Sequence, residues 1–424
     1  MKKFLAMLMM ATLLMSFTAL PAMAEGDEVV WLSLGGTWED RTKDIIDKYN
    51  EETGSNIVAE YYAYSDMFEI IEVKIASGTT DYDIISVDVP MVAPYVNRGY
   101  LAPVDEYYTA EEKALYIDSA VAAGSWDGTF YAPPMNTSAQ CLWYNKDLLA
   151  QAGVTLPENT PEDRLTWEEV VTIANQVLDV VNPDRNNGIF GLDWQQVSRN
   201  YQMNSIANSL GGKNIGEDGF TADGVINSQE WIDALTWYQG LVNSRVASQG
   251  ITADEMLDYF IAGKLVFMPG GTWTASDCNT KGFTNYGYCA MPVFEGHEDQ
   301  IGTPTGSWHF GINAPSEHKD EAAAFIKYIT LGEGNDMWLK ANGDVPSTKT
   351  ALDEVITSED AEGYLKIAAY EAANTAVPRA LTPGYSEYNI ILDATWEDIR
   401  NGADVTDSLN YAVEQIESAL AKYK

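Results

Sequence analysis

Short apolar runs alternate with amphipathic stretches near the start of the chain. The runs at 29–34, 57–61 and 82–87 are apolar enough to predict buried strands. Between them, apolar residues recur at helical spacing, first in Ile45 and Tyr49. The order strand, helix, strand, helix, strand predicts a parallel sheet with right-handed crossovers, and therefore an α/β protein.

The loops that follow these strands form the expected ligand-binding edge of the sheet. Ligands at open parallel sheets gather beyond the carboxyl ends of the strands. This rule directs attention to residues 35–39, 61–66 and 88–91. Site residues from this part of the chain should therefore come from three separate loops.

Local signals predict further elements along the chain. The Asp-Gly pair at 127–128 stands between aromatic residues and predicts a tight hairpin. Thr166 with Glu169 forms a capping box before an amphipathic helix, and Thr252 with Glu255 forms a second one. Mixed helix and strand thus continues beyond the first sheet.

The N-terminal segment has the pattern of a secretory signal peptide. Two lysines precede an apolar run at 4–15, and the small residues Ala22 and Ala24 suit a signal peptidase. The alternative, a membrane anchor, needs about 20 apolar residues, and this run ends sooner. Residues 1–24 are therefore expected to be cleaved, and no lipid anchor is expected because no cysteine lies nearby.

Charge and length limit the partners of the mature chain. The net charge is -38 and becomes -40 once the two lysines of the leader, which carries no acid, are removed. Such a surface repels nucleic acid and anionic lipid, so neither is an expected partner.

The length of the mature chain predicts two domains. The 400 residues that remain of the 424 after residue 24 exceed what one hydrophobic core usually serves.

Three cysteines allow at most one intramolecular disulfide. Cys278 and Cys289 are the expected pair because they flank a stretch with Gly, Asn and Thr in an exported chain. Cys141 lies in an apolar segment and is expected to be a buried thiol. No metal site is expected, because the loop 182–193 has only half the oxygen pattern of a calcium loop, and a turn is preferred over calcium binding.

Motifs for catalysis are absent. The chain has no Gly-x-Ser-x-Gly elbow, His-Glu-x-x-His pair or phosphate-binding loop. Its histidines, His297, His309 and His318, are scattered and are expected to be surface or satisfied polar residues. Carboxylate pairs depend on their spatial separation, so an exported glycoside hydrolase remains as an alternative interpretation.

Aromatic usage points to a different function. Tryptophan and tyrosine number 36 together against 12 phenylalanines, and these rings combine an apolar face with a hydrogen-bonding edge. A pyranose offers the matching surface, with C–H groups for the ring face and hydroxyls for polar partners. Trp38, Trp194, Trp273 and Trp308 are the candidates because they lie next to glycine or at strand ends, with a core position as the alternative for each.

Several segments resemble one known family when they are taken in order. They are 77–79 with 82–85, 99–105, 144–149 with 152–154, 260–264 with 270–273, 304–308, and 378–379 with 383–385. In this order they are similar to the family 1 extracellular solute-binding proteins, to which the maltose-binding protein belongs. The likeness extends over nearly the whole mature chain.

The resemblance implies a two-lobed periplasmic binding protein fold of class II, α/β in both lobes, with ligand enclosed as the lobes close. The N-terminal lobe would combine 25–135 with 292–326, and the C-terminal lobe 138–287 with 330–424. The hinge strands would lie near 134–138, 286–292 and 325–330.

The resemblance also implies a ligand site. The matching positions, with Tyr64 added from the second loop, are Trp38, Glu39, Tyr64 and Asp88 in the first lobe, Asn136 and Ser138 at the hinge, Trp194, Gly271, Trp273, Arg379 and Tyr385 in the second lobe, and Trp308 at the rear. Two of these have structural alternatives. Arg379 could pair with a carboxylate of the other lobe, and Glu39 could stabilise a helix N-terminus. Relatives carry a second proline where this chain has Ala380, which leaves the backbone near Arg379 open.

These expectations combine into one function. A monomeric periplasmic protein would capture a mono- or oligosaccharide, close, and present the closed form to the permease subunits of an ABC importer. No cofactor and no catalytic step are expected. A polyamine or other cationic solute is the alternative ligand, because the many carboxylates would suit it.

Overall fold

The computed structural model describes residues 27–157 and 159–424, so the predicted signal peptide at 1–24 lies outside the described residues. The strands are β1 Val29–Leu34, β2 Ile57–Tyr62, β3 Ile84–Asp88, β4 Ser125–Trp126, β5 Thr129–Phe130, β6 Gln140–Asn145, β7 Phe190–Leu192, β8 Leu265–Gly271, β9 Tyr286–Cys289, β10 Thr303–Pro304, β11 Trp308–Ile312 and β12 Ala376–Val377.

Helices cover much of the remaining chain. They are α1 Thr37–Thr53, α2 Tyr64–Val73, α3 Val92–Asn97, α4 Ala110–Leu115, α5 Asp118–Ala123, α6 Lys146–Ala152, α7 Trp167–Val181, α8 Asn200–Asn208, α9 Gln229–Asn243, α10 Ala253–Ile261, α11 Trp273–Thr280, α12 Lys319–Leu331, α13 Glu333–Asn342, α14 Lys349–Thr357, α15 Gly363–Asn374, α16 Tyr385–Arg400 and α17 Val405–Leu420. Both predicted capping boxes are present, at the starts of α7 and α10.

The first lobe is built on a four-stranded sheet with the order β11-β3-β1-β2. β1 is parallel to β2 and to β3, as the alternation of strands and helices predicts. β11 joins the edge antiparallel to β3, with Trp308 opposite Asp88. The start of β11 therefore lies at the carboxyl end of β3, beside the expected ligand edge.

Both faces of this sheet are covered. On one face Trp31 packs against Phe310 and against Phe325 of α12, with ring centroids 5.1 and 6.0 Å apart. On the other face Leu32 is buried in a cluster with Met67 of α2. Successive strand residues point to opposite faces, so two apolar neighbours serve two separate cores. A ligand can therefore reach this sheet only at its ends.

The second lobe is built on a sheet with the order β7-β8-β6-β9. β6 runs antiparallel to both β8 and β9, and β7 runs parallel to β8. Every residue of β8 is buried, which fits a central strand covered on both faces. Trp167 and Trp194 pack 5.4 Å apart at the centre of the adjoining aromatic core.

The lobes are joined by three crossover segments, which we define as residues 134–138, 303–308 and 343–347. Asn136 links all three. Its side-chain amide donates to Asp344 and accepts from the backbone N–H of Trp308 at 2.8 Å, and its carbonyl accepts from Ser307 Oγ at 2.6 Å. The side-chain nitrogen, the side-chain oxygen and the carbonyl oxygen of Asn136 all make hydrogen bonds. Asn136 therefore holds the three crossover segments together.

The predicted third hinge at 325–330 is wrong in position. These residues belong to the unbroken helix α12, and Phe325, Ile326 and Ile329 are buried in the first lobe. The next helix stays there too, with Trp338 of α13 packed 4.6 Å from Trp38. Helical periodicity identifies a helix, but it does not say which of two cores that helix joins.

The predicted first-lobe segment 292–326 also begins too early. The backbone carbonyl of Val293 accepts from the N–H of Trp167 at 2.8 Å, and its N–H donates to the carbonyl of Leu165. Further along, β10 pairs with β12. The chain therefore stays with the second lobe until the crossover segment at 303–308.

The predicted disulfide is absent. Cys278 and Cys289 are both buried free thiols, as is Cys141. Cys278 lies in the helix that follows β8, Cys289 lies in β9, and the strand β6 runs between β8 and β9. Burial raises the pKa of the Cys278 and Cys289 thiols to about 12, which keeps them protonated and unreactive at neutral pH.

The loop that resembles half of a calcium site contains an Asx turn, in which Asp184 Oδ1 accepts from the backbone N–H of Asn186 at 3.3 Å. Asn182 Oδ1 accepts from the backbone N–H groups of Asn186 and Asn187, and the enclosed Asp193 accepts from Ser248 Oγ at 2.6 Å. Among residues 27–157 and 159–424, no group of three or more His, Cys, Asp or Glu side chains could hold a metal ion. No helix in the same residues is long and apolar enough to cross a membrane.

Candidate ligand-binding cleft

The first-lobe wall of the cleft is aromatic. Trp308 at the start of β11 is half-buried, and Tyr64 at the start of α2 lies 6.3 Å from it in an edge-to-face arrangement. Trp38 lies behind Trp308 at 5.2 Å and is 7% exposed, because it also packs on Trp338. Trp308 and Tyr64 are therefore the accessible rings, and Trp38 supports them. Glu39 is exposed in the first turn of α1, where a carboxylate suits the helix dipole.

The second-lobe wall is a stack of three groups. Tyr201 and Trp273 lie nearly parallel, with centroids 6.5 Å apart and 22° between the ring planes. The guanidinium of Arg379 lies 4.6 Å from the centroid of Tyr201, on a π face that favours cations. Tyr385 lies 6.0 Å from the same guanidinium. This wall supplies ring faces and hydrogen-bond donors side by side.

Tyr201 is the residue of this wall that the sequence interpretation missed. It stands near the N-terminus of α8, and neither a neighbouring glycine nor a strand end marks it. Its hydroxyl lies 3.4 Å from Ser138 Oγ, and Ser138 also exchanges hydrogen bonds with the backbone of Gly306. Ser138 therefore connects the crossover segments to the stack, rather than standing free for a ligand.

Asp88 and Arg379 form an ion pair between the lobes. Arg379 Nη1 donates to Asp88 Oδ2 at 3.2 Å, and Nη2 donates to Oδ1. Both side chains are about nine-tenths buried. Burial by itself would lower the pKa of Arg379, but Asp88, Tyr385 and Tyr201 raise it above its ordinary value. The alternative predicted for Arg379, pairing with a carboxylate of the other lobe, is therefore observed.

The lobes also touch on both sides of this ion pair. Arg41 of α1 donates to Ser276 of α11 at 3.3 Å, and Ser386 Oγ lies 3.9 Å from the sulfur of Met91. Tyr64 is 56% exposed, yet desolvation raises the pKa of its phenol. Tyr64 is therefore more accessible than the half-buried Trp308 in the first-lobe wall.

Trp194 does not belong to the cleft, so the ligand role predicted for it is wrong. It is fully buried, packs against Trp167 and Tyr238, and donates from Nε1 to Ser205 Oγ at 3.0 Å. The strand end that precedes it faces the interior of the second lobe. Asn136 makes its hydrogen bonds to the other crossover segments.

Gly271 lies beneath the tryptophan of the stack. A Cβ atom added there would stand 2.1 Å from Cζ3 of Trp273, far inside van der Waals contact. Glycine is therefore required so that the Trp273 ring can fold back over the end of β8. Gly271 shapes the cleft through this close approach.

A half-buried carboxylate stands behind Tyr385. Asp393 accepts from the backbone N–H of Asn200 at 2.6 Å and from Asn389 Nδ2 at 2.9 Å, and the Tyr385 hydroxyl donates to Asn389 at 3.2 Å. Burial raises the pKa of Asp393 to about 6. The folded protein thus binds more protons than the unfolded chain between pH of about 4 and about 6.

This shift predicts a pH dependence of stability. The free energy of unfolding contributed by Asp393 should fall as the pH rises through that window and then stay constant, because the charged form is disfavoured in the folded state. Asp393→Asn should remove this fall. Urea unfolding at several pH values measures it, with Asp398→Asn on the exposed face of the same helix as the control. Parallel pH profiles for wild type and Asp393→Asn would contradict the assignment.

Comparison with known proteins agrees with this architecture. The chain is 23% identical to a probable ABC transporter-binding protein of Deinococcus radiodurans over 400 residues, 91% of this chain and 90% of the relative. It is 26% identical over 251 residues to the sn-glycerol-3-phosphate-binding periplasmic protein UgpB of Rhizobium meliloti, 57% of this chain and 55% of that protein.

The fold is shared with solved structures of two-lobed binding proteins. The GacH receptor of Streptomyces glaucescens, solved unliganded and with acarbose, superposes with a TM-score of 0.79 at 19% identity, covering 94% of this chain and 99% of that one. The family model for bacterial extracellular solute-binding proteins matches residues 44–365. The chain therefore belongs to the bacterial extracellular solute-binding proteins.

Proposed function

We propose that this protein captures a neutral carbohydrate between its lobes and delivers it to the permease of an ABC importer. The carrying observation is an aromatic pair on each side of the interlobe ion pair. Trp308 lies opposite Asp88 in the sheet and stands beside Tyr64, whereas Tyr201 stacks on Arg379 and stands beside Trp273. Ring faces on both sides suit the C–H surfaces of a sugar, and Asp88 with Arg379 can serve its hydroxyls. The GacH receptor, whose fold is similar, binds acarbose.

Charge in the cleft favours a neutral ligand over a cationic one. Asp88 is already neutralised by Arg379, whose guanidinium lies between Tyr201 and Tyr385. A polyamine entering there would meet this cation and would have to displace it from Asp88. A neutral sugar carries no such penalty, because its hydroxyls can donate to the carboxylate and accept from the guanidinium.

An anionic ligand is the second candidate, because one relative is named for sn-glycerol-3-phosphate binding and Arg379 is a buried cation. It is less favoured, since a phosphate would have to displace Asp88 from Arg379. The family consists of solute-binding proteins, and we infer that the protein binds its ligand without transforming it, as a monomer in the periplasm after removal of residues 1–24.

A thermal-shift panel tests the ligand class. With maltose, maltotetraose, tagatose, sn-glycerol-3-phosphate and spermidine, we expect stabilisation by a sugar, reaching about 2.7 kcal/mol at a hundred times its Kd. Trp273→Ala should remove most of this shift because it deletes one ring of the stack. Tyr411→Ala, an aromatic deletion at an exposed position of α17, should leave it unchanged.

Each other outcome of the panel has a definite meaning. Stabilisation by spermidine alone would show that the ligand is a cationic solute and not a sugar. Stabilisation by sn-glycerol-3-phosphate alone would show that the ligand is an anion. Shortened products after incubation with maltotetraose would contradict the proposal that the protein binds its ligand without transforming it.

A further inference from the structure

Behind the Asp88–Arg379 ion pair lies a small, partly open cavity, which we call the rear cavity. Its walls include Ala120, Ala123 and His309 of the first lobe, Thr137 of a crossover segment, and Pro378 and Arg379 of the second lobe. Its volume is about 40 Å³. Arg379 thus borders both the ligand cleft and the rear cavity.

Two buried nitrogen atoms of this lining lack a hydrogen-bond partner among the described residues. They are His309 Nε2 and Arg379 Nε. His309 is 1% exposed, and the Arg379 side chain is 9% exposed, so neither nitrogen is hydrated by bulk solvent. Buried polar groups in folded proteins nearly always have a partner, so this pair requires an explanation.

The roles of these two atoms follow from their neighbours. His309 Nδ1 lies 2.7 Å from the carbonyl oxygen of Ala132, which can only accept, so Nδ1 carries the proton. Burial lowers the pKa of His309 to about 4, and the Arg379 charge lowers it too, so the ring is neutral at physiological pH. Nε2 is therefore an acceptor, whereas Arg379 Nε is a donor.

A donor and an acceptor around one cavity match a hydroxylic molecule. A water oxygen accepts from Arg379 Nε while one of its hydrogens is donated to His309 Nε2. An anion would find no donor on the neutral ring, and a cation would be repelled by the guanidinium. One water needs about 10 to 15 Å³ measured in this way, so the cavity holds a few waters but no sugar ring.

We propose that the rear cavity binds an ordered water that joins His309 Nε2 to Arg379 Nε, and that His309 thereby positions the guanidinium of the cleft. With both Nη atoms on Asp88 and Nε on this water, the guanidinium is held from both sides. The orientation of the side chain that faces the ligand is then set by a histidine that the ligand does not touch. This role for His309 rests on the proposed function, but the water site does not.

Two measurements on the unliganded protein test the water site. A high-resolution crystal structure should show an oxygen within hydrogen-bonding distance of His309 Nε2 and Arg379 Nε. Nitrogen-15 NMR of labelled histidine should show His309 protonated at Nδ1 only, with Nε2 hydrogen-bonded, at neutral pH. An Nε2 proton, or no ordered oxygen between the two atoms, overturns the proposal.

Matched substitutions on one helix test the positioning role. Ala123 of α5 is half-buried and lines the rear cavity, whereas its neighbour Ala122 is exposed. Ala123→Leu should fill the cavity, remove the oxygen, and raise the Kd for maltose about fivefold, the cost of a lost hydrogen bond. Ala122→Leu should change neither the ordered oxygen nor the Kd for maltose. Both variants should unfold at the same urea concentration as wild type.

The outcomes separate this proposal from the proposed function. If Ala123→Leu displaces the oxygen and maltose binds as tightly as before, the positioning role is refuted and the water site stands. If maltose does not bind the wild type, the function for that sugar fails, and the crystallographic and NMR results still decide the water site.

Discussion

Arg379→Met is expected to weaken ligand binding by about a hundredfold or more. The variant removes a guanidinium that is hydrogen-bonded to Asp88 and stacked on Tyr201, and it leaves the Asp88 carboxylate enclosed without its cation. Breaking a buried ion pair by deleting one partner costs about 3–5 kcal/mol. Because the pair joins the two lobes, we expect this cost to appear as loss of the closed arrangement that holds the ligand. Isothermal titration with the sugar identified by the panel measures it.

An exposed ion pair provides the control for Arg379. Arg199 pairs with Asp254 at 2.7 Å, and the two side chains are 46% and 83% exposed. Arg199→Met should change ligand affinity and stability by about 1 kcal/mol at most. The double variant Asp88→Asn with Arg379→Met should recover stability, but not affinity, because it removes both charges. Unchanged affinity in Arg379→Met would show that the ion pair is a bystander of binding.

Arg164→Met is expected to lower the free energy of unfolding by about 3–5 kcal/mol. Arg164 and Glu371 form an ion pair inside the second lobe, with side chains 5% and 0% exposed. The contacts are bidentate, at 2.6 Å and 3.1 Å, and Arg164 Nη1 also donates to the carbonyl of Met291 at 2.9 Å. Methionine would leave the Glu371 carboxylate buried, and among the described residues the hydroxyls of Thr303 and Thr375 would be its remaining hydrogen-bond donors.

Urea unfolding, followed by circular dichroism, measures this effect. Arg164→Met combined with Glu371→Leu should recover much of the loss, since a neutral apolar pair of similar volume avoids burying a charge. Arg199→Met serves again as the exposed control. If Arg164→Met and the wild type had the same urea midpoint, water would have to reach Glu371. That result would contradict the burial of the Glu371 side chain.

Local elements of the fold were predictable from the sequence. The apolar runs predicted β1, β2 and β3 and their parallel order, and the Asp-Gly pair predicted the hairpin of β4 and β5. The capping boxes predicted before α7 and α10 are also present. These features depend on neighbours within a few residues, so the signal and its cause lie in the same stretch of chain.

The candidate site was predictable only in part. Asp88 and Arg379 form an ion pair between the lobes, Trp308 lies opposite Asp88 in the sheet, and Trp273 stacks with Tyr201, whereas Trp194 is enclosed in the second lobe. A tryptophan at a strand end has the same sequence signal whether it faces a cleft or a core. Which one it faces depends on the helices that pack over that end, and these come from distant parts of the chain.

The sequence by itself determined the class of the fold and the parallel direction of its first three strands, because these follow from short-range periodicity and chirality. Only the tertiary structure decided where the crossover segments run, that Cys278 and Cys289 stay apart, and that Tyr201 stacks on Arg379. Those outcomes depend on contacts between residues far apart in sequence, whose free energies are set by burial and geometry. No local sequence pattern indicates such contacts. The cleft could therefore be predicted from the sequence, whereas the ring that stacks on Arg379 could not.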